Sequence, residues 1–228
     1  MPMIQIQSVS RRFQRGNQVV DALIDCSMEV EQGECVVVRG PSGSGKTTLL
    51  MAVGGLLRPT SGSVIVEGRP IWEGSEASRA AYRSNTVGFV FQDPHLLPWL
   101  NARDNIAIAV QGRASMEEID QCLEGLGLGD RAGHLPGELS TGERRRIALA
   151  RAVVNKPAVL LADEPMSHLD QESAASVLEI LSSWCIEGGT VVMVNHGEQS
   201  PPCKHRFVDL LKGRLHDQDM VEGKAEAT

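Results

Sequence analysis

The stretch "GPSGSGKTT" constrains this chain more than any other, because of what stands on either side of it. Before it, "GECVVVRG" is a short run of β-branched residues that ends at Gly40 and reads as a fully buried strand. After it, "KTTLLMAVGGLL" has a helical pattern. Strand, glycine-rich loop and helix in that order fit G-x-x-x-x-G-K-[ST], the phosphate-binding loop. Gly40, Pro41, Ser42, Gly43, Ser44, Gly45, Lys46, Thr47 and Thr48 are then expected to wrap a phosphate chain, largely through backbone N–H groups. Lys46 would reach the β- and γ-phosphates, and the Thr47 hydroxyl would bind Mg²⁺.

The remaining pattern supports an α/β fold. "MIQIQSV" alternates apolar and polar residues as a half-buried strand does, and a turn at Gly16 and Asn17 leads to a second strand-like region, "VVDALIDCSMEV". "GSVIVEGRPI" and "VGFVFQ" also read as strands. Strand signals vanish over residues 94–137, where "MEEIDQCLEGLGL" has helical periodicity; this is expected to be a helical insertion. Then come a helix in "ERRRIALARAVVNK", a buried strand in "AVLLADEP", a helix in "QESAASVLEILSSWC", a buried strand in "TVVMVNH" and a closing hairpin in "RFVDLLKGRL". The polar tail, residues 217–228, is expected to be disordered. Strands alternating with helices imply one domain with a largely parallel sheet covered on both faces.

"VLLADEP" supplies the second half of a phosphate-transfer site. Its strand should deliver Asp163 at the C-terminal sheet edge, where ligands bind in open α/β sheets. Asp163 would hold Mg²⁺, and Glu164 would polarise an attacking water as general base. Gln92 and His196 each follow a predicted buried strand and belong near the same edge. Gln92 would orient water or touch Mg²⁺, and His196 would donate to the γ-phosphate; either is also compatible with a surface or core role. Phe13, one of only four phenylalanines, would stack on a base or simply pack. In "PGELSTGERRRIALARA", Ser140 caps a helix and Glu143 completes a capping box. Such a start is either only a well-capped helix end or a site for an anion, and it holds no group able to activate water.

Composition narrows the partners. A net charge of −7 argues against bulk nucleic-acid binding, and the run Arg144, Arg145, Arg146 is expected to be a solvated helix face. The five cysteines show no metal-ligand spacing, and Cys35 and Cys185 read as small core residues, as suits a reducing compartment. The N-terminus lacks the apolar core of a signal peptide, and "LLMAVGGLL" is far short of a membrane span. The expected location is cytosolic, with the membrane reached through a partner.

Taken together these motifs resemble, in order and over almost the whole chain, the nucleotide-binding subunit of an ATP-binding-cassette transporter. "GPSGSGKTT" is similar to the family's Walker A loop, "VLLADEP" to its Walker B strand, "FVFQ" to its Q-loop and "LSTGE" to its signature motif. "SHLD", ending at Asp170, resembles the D-loop, His196 the switch histidine, and Phe13 the adenine-stacking aromatic. The resemblance implies a P-loop core, an N-terminal antiparallel β subdomain and an inserted helical subdomain. It implies ATP and Mg²⁺ as ligands, integral membrane permease subunits as partners and no nucleic acid. It also implies a head-to-tail homodimer in which Ser140 and Gly142 of one chain complete the other chain's ATP site. "AYRSNTVGFVFQ" and "GGLLRPTSG" resemble the lipoprotein-releasing and macrolide-exporter branch, while "HLLPWLNARDNI" resembles organic-ion importers. A non-transport ATPase of the same superfamily and a regulatory subunit of low turnover remain as alternatives. Thr141 for the usual Gly, Met166 after "DEP" and Asn195-His196-Gly197 depart from the family pattern.

Overall fold

The computed structural model describes residues 1–16, 18–110, 114–197 and 199–221. Asn17 of the expected turn and residues 222–228 of the tail lie outside them.

The β-branched runs become the centre of the molecule. β3 (Cys35–Arg39), β7 (Val159–Asp163) and β8 (Thr190–Asn195) are buried along nearly their whole length. They pair in parallel with one another, with β6 (Val87–Val90) and with β9 (His205–Leu211). β10 (Arg214–Val221) closes the edge antiparallel to β9, giving the order β10-β9-β3-β8-β7-β6. The tail is therefore ordered further than the sequence suggested: its polar residues after 216 continue as an edge strand to Val221, because β9 offers backbone partners that apolar content does not report.

The N-terminal strands form a separate antiparallel sheet. β1 (Ile4–Arg15) pairs with β2 (Gln18–Val30) and with β4 (Ser61–Val66), and β4 pairs with the short β5 (Arg69–Pro70). Alternation buries Ile4, Ile6 and Val9 against Val36 and Val38 of β3 and Leu49, Leu50 and Val53 of α1 (Lys46–Val53). On the opposite face of the parallel sheet, α6 (Gln171–Ile186) and α5 (Thr141–Val153) cover Cys35, Val37, Leu160 and Val191.

A third cluster lies in the helical region. Ala102 and Ile106 of α3 (Ala102–Val110) and Ile119 and Leu123 of α4 (Met116–Gly125) pack on Leu139 and Ile147. α5 belongs to both cores, with Leu149 and Ala152 on the sheet side and Ile147, Ala150 and Val154 on the helical side. Rotation at the start of α5 is thus fixed by two packed faces.

α2 (Glu76–Asn85) has no counterpart among the expected elements. It buries no residue fully and is held by polar contacts: Tyr82 Oη donates to Val53 O at 2.8 Å and Arg83 to Gly55 O at 2.9 Å.

Candidate active site

The phosphate loop needs glycine at its close approaches. At Gly45, φ is +108°, and a Cβ would stand 2.2 Å from the carbonyl oxygen of Ala22 in β2. A side chain there would push the N-terminal sheet off the loop, so the glycine sets the distance between the two sheets. Lys46, at the start of α1, is 5% exposed, and its Nζ donates to Gly40 O at 2.8 Å and Pro41 O at 3.0 Å. Burial lowers its pKa, against the opposing pull of Glu164 and Asp163.

β7 delivers the carboxylates to the same edge. Asp163, its last residue, is 3% exposed; burial raises its pKa while a hydrogen bond from Thr47 works the other way. Its Oδ1 has no hydrogen-bond partner, and neither has the buried Oγ of Ser44. Glu164 follows with a left-handed backbone, φ +47°, and its N–H donates to Val194 O of β8 at 3.0 Å. That turn takes the Glu164 side chain out of the strand direction, toward the ends of the neighbouring strands.

There it meets both other predicted residues. Gln92, two residues past β6, donates from Nε2 to Glu164 Oε2 at 3.1 Å. His196, the first residue past β8, contacts Glu164 Oε1 through Nε2, and its Nδ1 lies 3.4 Å from Lys46 Nζ. Since an ammonium can only donate, the ring is best assigned with Nδ1 accepting and Nε2–H donating. Lys46, His196, Glu164 and Gln92 therefore form one continuous polar chain across the ends of α1, β8, β7 and β6. Asn195 Oδ1 accepts from the His196 N–H at 2.7 Å and steadies the bend.

Ser140 and Gly142 sit at the N-terminus of α5, and no hydrogen bond or ion pair joins them to Lys46, Glu164 or His196 in the described residues. The Ser140 hydroxyl accepts from the Glu143 N–H at 3.2 Å, and the Ser140 N–H donates to Glu143 Oε2 at 2.8 Å, which closes the capping box. Glu143 also pairs with Arg131 at 2.8 Å, and that guanidinium is the main reason its carboxyl is lowered to about 2. Ser140 and Thr141 are exposed, while Gly142 is buried where a Cβ would come 2.6 Å from Ser173 Oγ. Phe13 lies half-buried on β1, opposite Val20, under the Arg11 guanidinium at 4.6 Å from its ring centre. Asp170 caps α6 by accepting from the Ser173 N–H and hydroxyl, both at 2.9 Å.

One contributor was missed. Arg145 is not part of a solvated face: it is 2% exposed and donates to Phe91 O at 2.8 Å, Gln92 O at 2.6 Å and Ser167 O at 3.2 Å. It ties α5 to the segments on either side of Glu164. The signal was present, since Gly142, Arg145, Leu149 and Ala152 form one buried stripe at helical spacing.

A parallel sheet whose edge carries a glycine-rich phosphate loop, a buried lysine and paired carboxylates defines a P-loop nucleotide hydrolase. Similarity makes the assignment narrower. Residues 23–167 match the ABC transporter family model. The chain is 38% identical over 218 residues to an uncharacterized ABC transporter ATP-binding protein, YknY, of Bacillus subtilis, with 93% of this chain and 95% of that protein covered. It is 42% identical over 219 residues to the macrolide export ATP-binding/permease protein MacB 1/2 of Paracoccus denitrificans, covering 94% of this chain but 33% of that longer protein. Among solved structures, the dimeric bacterial ABC transporter cassette MJ0796 superposes with a TM-score of 0.90 at 31% identity, over 97% of this chain and 100% of that one. A dimeric post-hydrolysis state of the same cassette, bound to ADP and Pi, superposes at 0.89 with 30% identity, again over 97% and 100%. The chain belongs to the ABC transporter family and is an ABC-type ATPase cassette.

Proposed function

We propose that this cassette hydrolyses ATP as a head-to-tail homodimer on the cytoplasmic face of a membrane and thereby powers separate permease subunits. The observation that carries the reading is the division of labour between two parts of the fold. Lys46, His196, Glu164 and Gln92 gather at one sheet edge, whereas the α5 N-terminus presents an exposed Ser140 and a dipole end with no base beside it. A helix start of that kind recognises phosphate charge but cannot attack it. It becomes useful when it faces a nucleotide held by another copy. The dimeric state of the similar cassette supports this arrangement.

In this reading the loop from Gly40 to Thr48 cradles the phosphates, Lys46 exchanges its loop carbonyls for phosphate oxygens, and Phe13 stacks on the base. Asp163, Thr47 and Gln92 would hold Mg²⁺. The unpartnered, buried Oδ1 of Asp163 beside the Thr47 hydroxyl fits a hard cation with oxygen ligands. When bound, Mg²⁺ offsets phosphate charge. Glu164 takes the proton of the attacking water, and Gln92 and His196, both already on its carboxylate, fix its orientation and release it toward the water. Ser140 and the Gly142 backbone of the partner copy close the site over the γ-phosphate.

Residues 96–100 are the proposed permease dock. Trp99 is 70% exposed, while Leu96 packs against the helical core and Leu97 N–H donates to Asn105 Oδ1 at 2.7 Å, so the segment is anchored behind an apolar tip. It lies close after Gln92, which gives a docked permease a short route to the catalytic carboxylate. No described helix is long and apolar enough to cross a membrane, which is consistent with a separate permease. The test is co-expression with a candidate permease subunit. Trp99→Glu is expected to abolish co-purification while leaving ATP hydrolysis by the isolated cassette intact. Unchanged co-purification would place the dock elsewhere.

A further inference from the structure

The five cysteines carry no metal-ligand spacing in sequence, yet the fold gathers three of them. Cys35 opens β3, Cys185 lies in the last turn of α6, and Cys203 stands two residues before β9. Their sulfur atoms all lie within 4.8 Å of one another. Cys35 is fully buried, Cys185 is 8% exposed and Cys203 is half-buried. The cluster sits at the N-terminal edge of the parallel strands, the end opposite Lys46 and Glu164.

Two features separate this cluster from incidental packing. The first is the crossover that carries Cys203. β8 and β9 flank β3 and run parallel to it, so the chain between Asn195 and His205 must return the full length of the sheet. Parallel crossovers ordinarily use a dozen or more residues and a helix. This one is shorter and has no helix among its described residues. Its C-terminal end is held on the sheet by Cys203 and the buried Pro201.

The second is His205. It pairs with Cys35 in the β3–β9 register and shares the face of Phe207, with which its ring makes an edge contact at 4.9 Å. It is 4% exposed. Its Nδ1 lies 2.9 Å from the carbonyl oxygen of Cys203, so Nδ1–H donates there. Nε2 is left buried with no hydrogen-bond partner. An imidazole that donates one N–H to a backbone carbonyl and keeps the other nitrogen free is the form that ligates metals.

We propose that Cys35, Cys185 and Cys203 form a three-thiolate site for a thiophilic divalent cation of the zinc class; His205 stands just outside that 4.8 Å group and fills the fourth position by turning its ring toward the ion. Tetrahedral thiolate coordination, with metal–sulfur bonds of about 2.3 Å, sets sulfur atoms about 3.8 Å apart, so the cluster needs only a small contraction. On binding, each ligating thiol releases its proton to solvent and its sulfur pair goes to the metal. The ion ties the crossover to β3 and α6, which is the role a helix plays in longer crossovers.

The experiment uses the reduced full-length chain, stripped with a chelator and titrated without nucleotide. Zn²⁺ is read by melting temperature, and Co²⁺ by absorption. One equivalent per chain is expected, with sulfur-to-cobalt charge-transfer bands and a raised melting temperature. Cys203→Ser should weaken binding by at least about 100-fold and remove those bands, His205→Ala should weaken it by about 10-fold or more, and Cys122→Ser, outside the cluster, should change nothing. If Cys203→Ser does not fold, Cys185→Ser is the ligand variant, with folding checked by circular dichroism. The proposal is overturned if the unmodified chain binds no stoichiometric metal, if binding lacks thiolate bands, or if it survives the ligand variant unchanged.

Discussion

The sheet edge at Glu164 and the N-terminus of α5 are two polar sites built on opposite principles. At the sheet edge, polar groups from α1 and from just past β6, β7 and β8 are brought into contact, and burial disfavours the charged forms of Lys46 and Asp163. The hydrogen bonds there join residues up to 150 positions apart. At α5, by contrast, every capping interaction is local: Ser140 and Glu143 satisfy each other within one turn. The first arrangement exists only when the whole sheet is assembled. The second closes its capping bonds within one turn and leaves Ser140 and Thr141 open to solvent. The roles proposed for them, chemistry at the one and a fixed surface for a second copy at the other, call for this difference.

The sharpest contrast concerns turnover. Glu164→Gln should reduce phosphate release by about 10²- to 10⁴-fold, the contribution of a positioned general base, while ATP affinity is retained. Lys46→Ala should instead weaken ATP binding itself. Nucleotide affinity and phosphate release measured on both variants separate the two roles, and normal turnover by Glu164→Gln would remove Glu164 as the base.

Arg145 joins the two regions, so its loss should be felt in both. Arg145→Met leaves three accepting carbonyls without their donor and should cost about 3 kcal/mol of stability, measured by urea denaturation. A cost near zero would mean that α5 is positioned by its apolar faces alone. Ser140→Ala should cost only about 1 kcal/mol, the ordinary worth of a cap. Any larger loss of ATPase activity in that variant would then report a contact outside its own helix.

The smallest effect is a pH dependence. The Glu143 carboxyl is lowered from 4.5 to about 2, chiefly by Arg131, so its folded pKa lies below its unfolded one. Its contribution to stability is complete above pH 4.5 and is lost as pH falls toward 2. Glu143→Gln should flatten the acid limb of the stability curve in that window by lowering the neutral plateau while leaving stability near pH 2 unchanged. An unchanged acid limb would show that the Arg131 pair contributes nothing.

The gathering of Lys46, Gln92, Glu164 and His196 at one sheet edge was readable in the sequence because its parts carry strong local signatures. β3, β7 and β8 are uninterrupted apolar runs, and each ends in a residue whose chemistry is unusual at a strand terminus. Parallel pairing then brings those ends together without further information. What escaped the sequence depends on rotation or on distance along the chain. Arg145 looked like one of three solvent-facing arginines, although successive residues turn about 100° around a helix and cannot all face outward. α2 is polar and is held by contacts to the backbone of α1 and the loop after it; the face it turns inward, Arg79, Tyr82 and Arg83, is not an apolar stripe. The cysteine cluster joins residues up to 168 positions apart, from Cys35 to Cys203, through a crossover that spacing rules do not anticipate.

The claim that α5 serves another copy's nucleotide is tested most directly by mixing two inactive chains, Lys46→Ala and Ser140→Arg. If Ser140 acts in trans, heterodimers contain one site with both lesions and one with Lys46 and Ser140 both intact, and ATPase activity reappears on mixing. A parallel mixture of Lys46→Ala with Glu164→Gln should recover none, because those two residues belong to the same site of the same chain. Recovery in the first mixture alone is the predicted result. Equal behaviour of both mixtures, with heterodimers shown to form, would contradict it and leave the α5 N-terminus as a capped helix end.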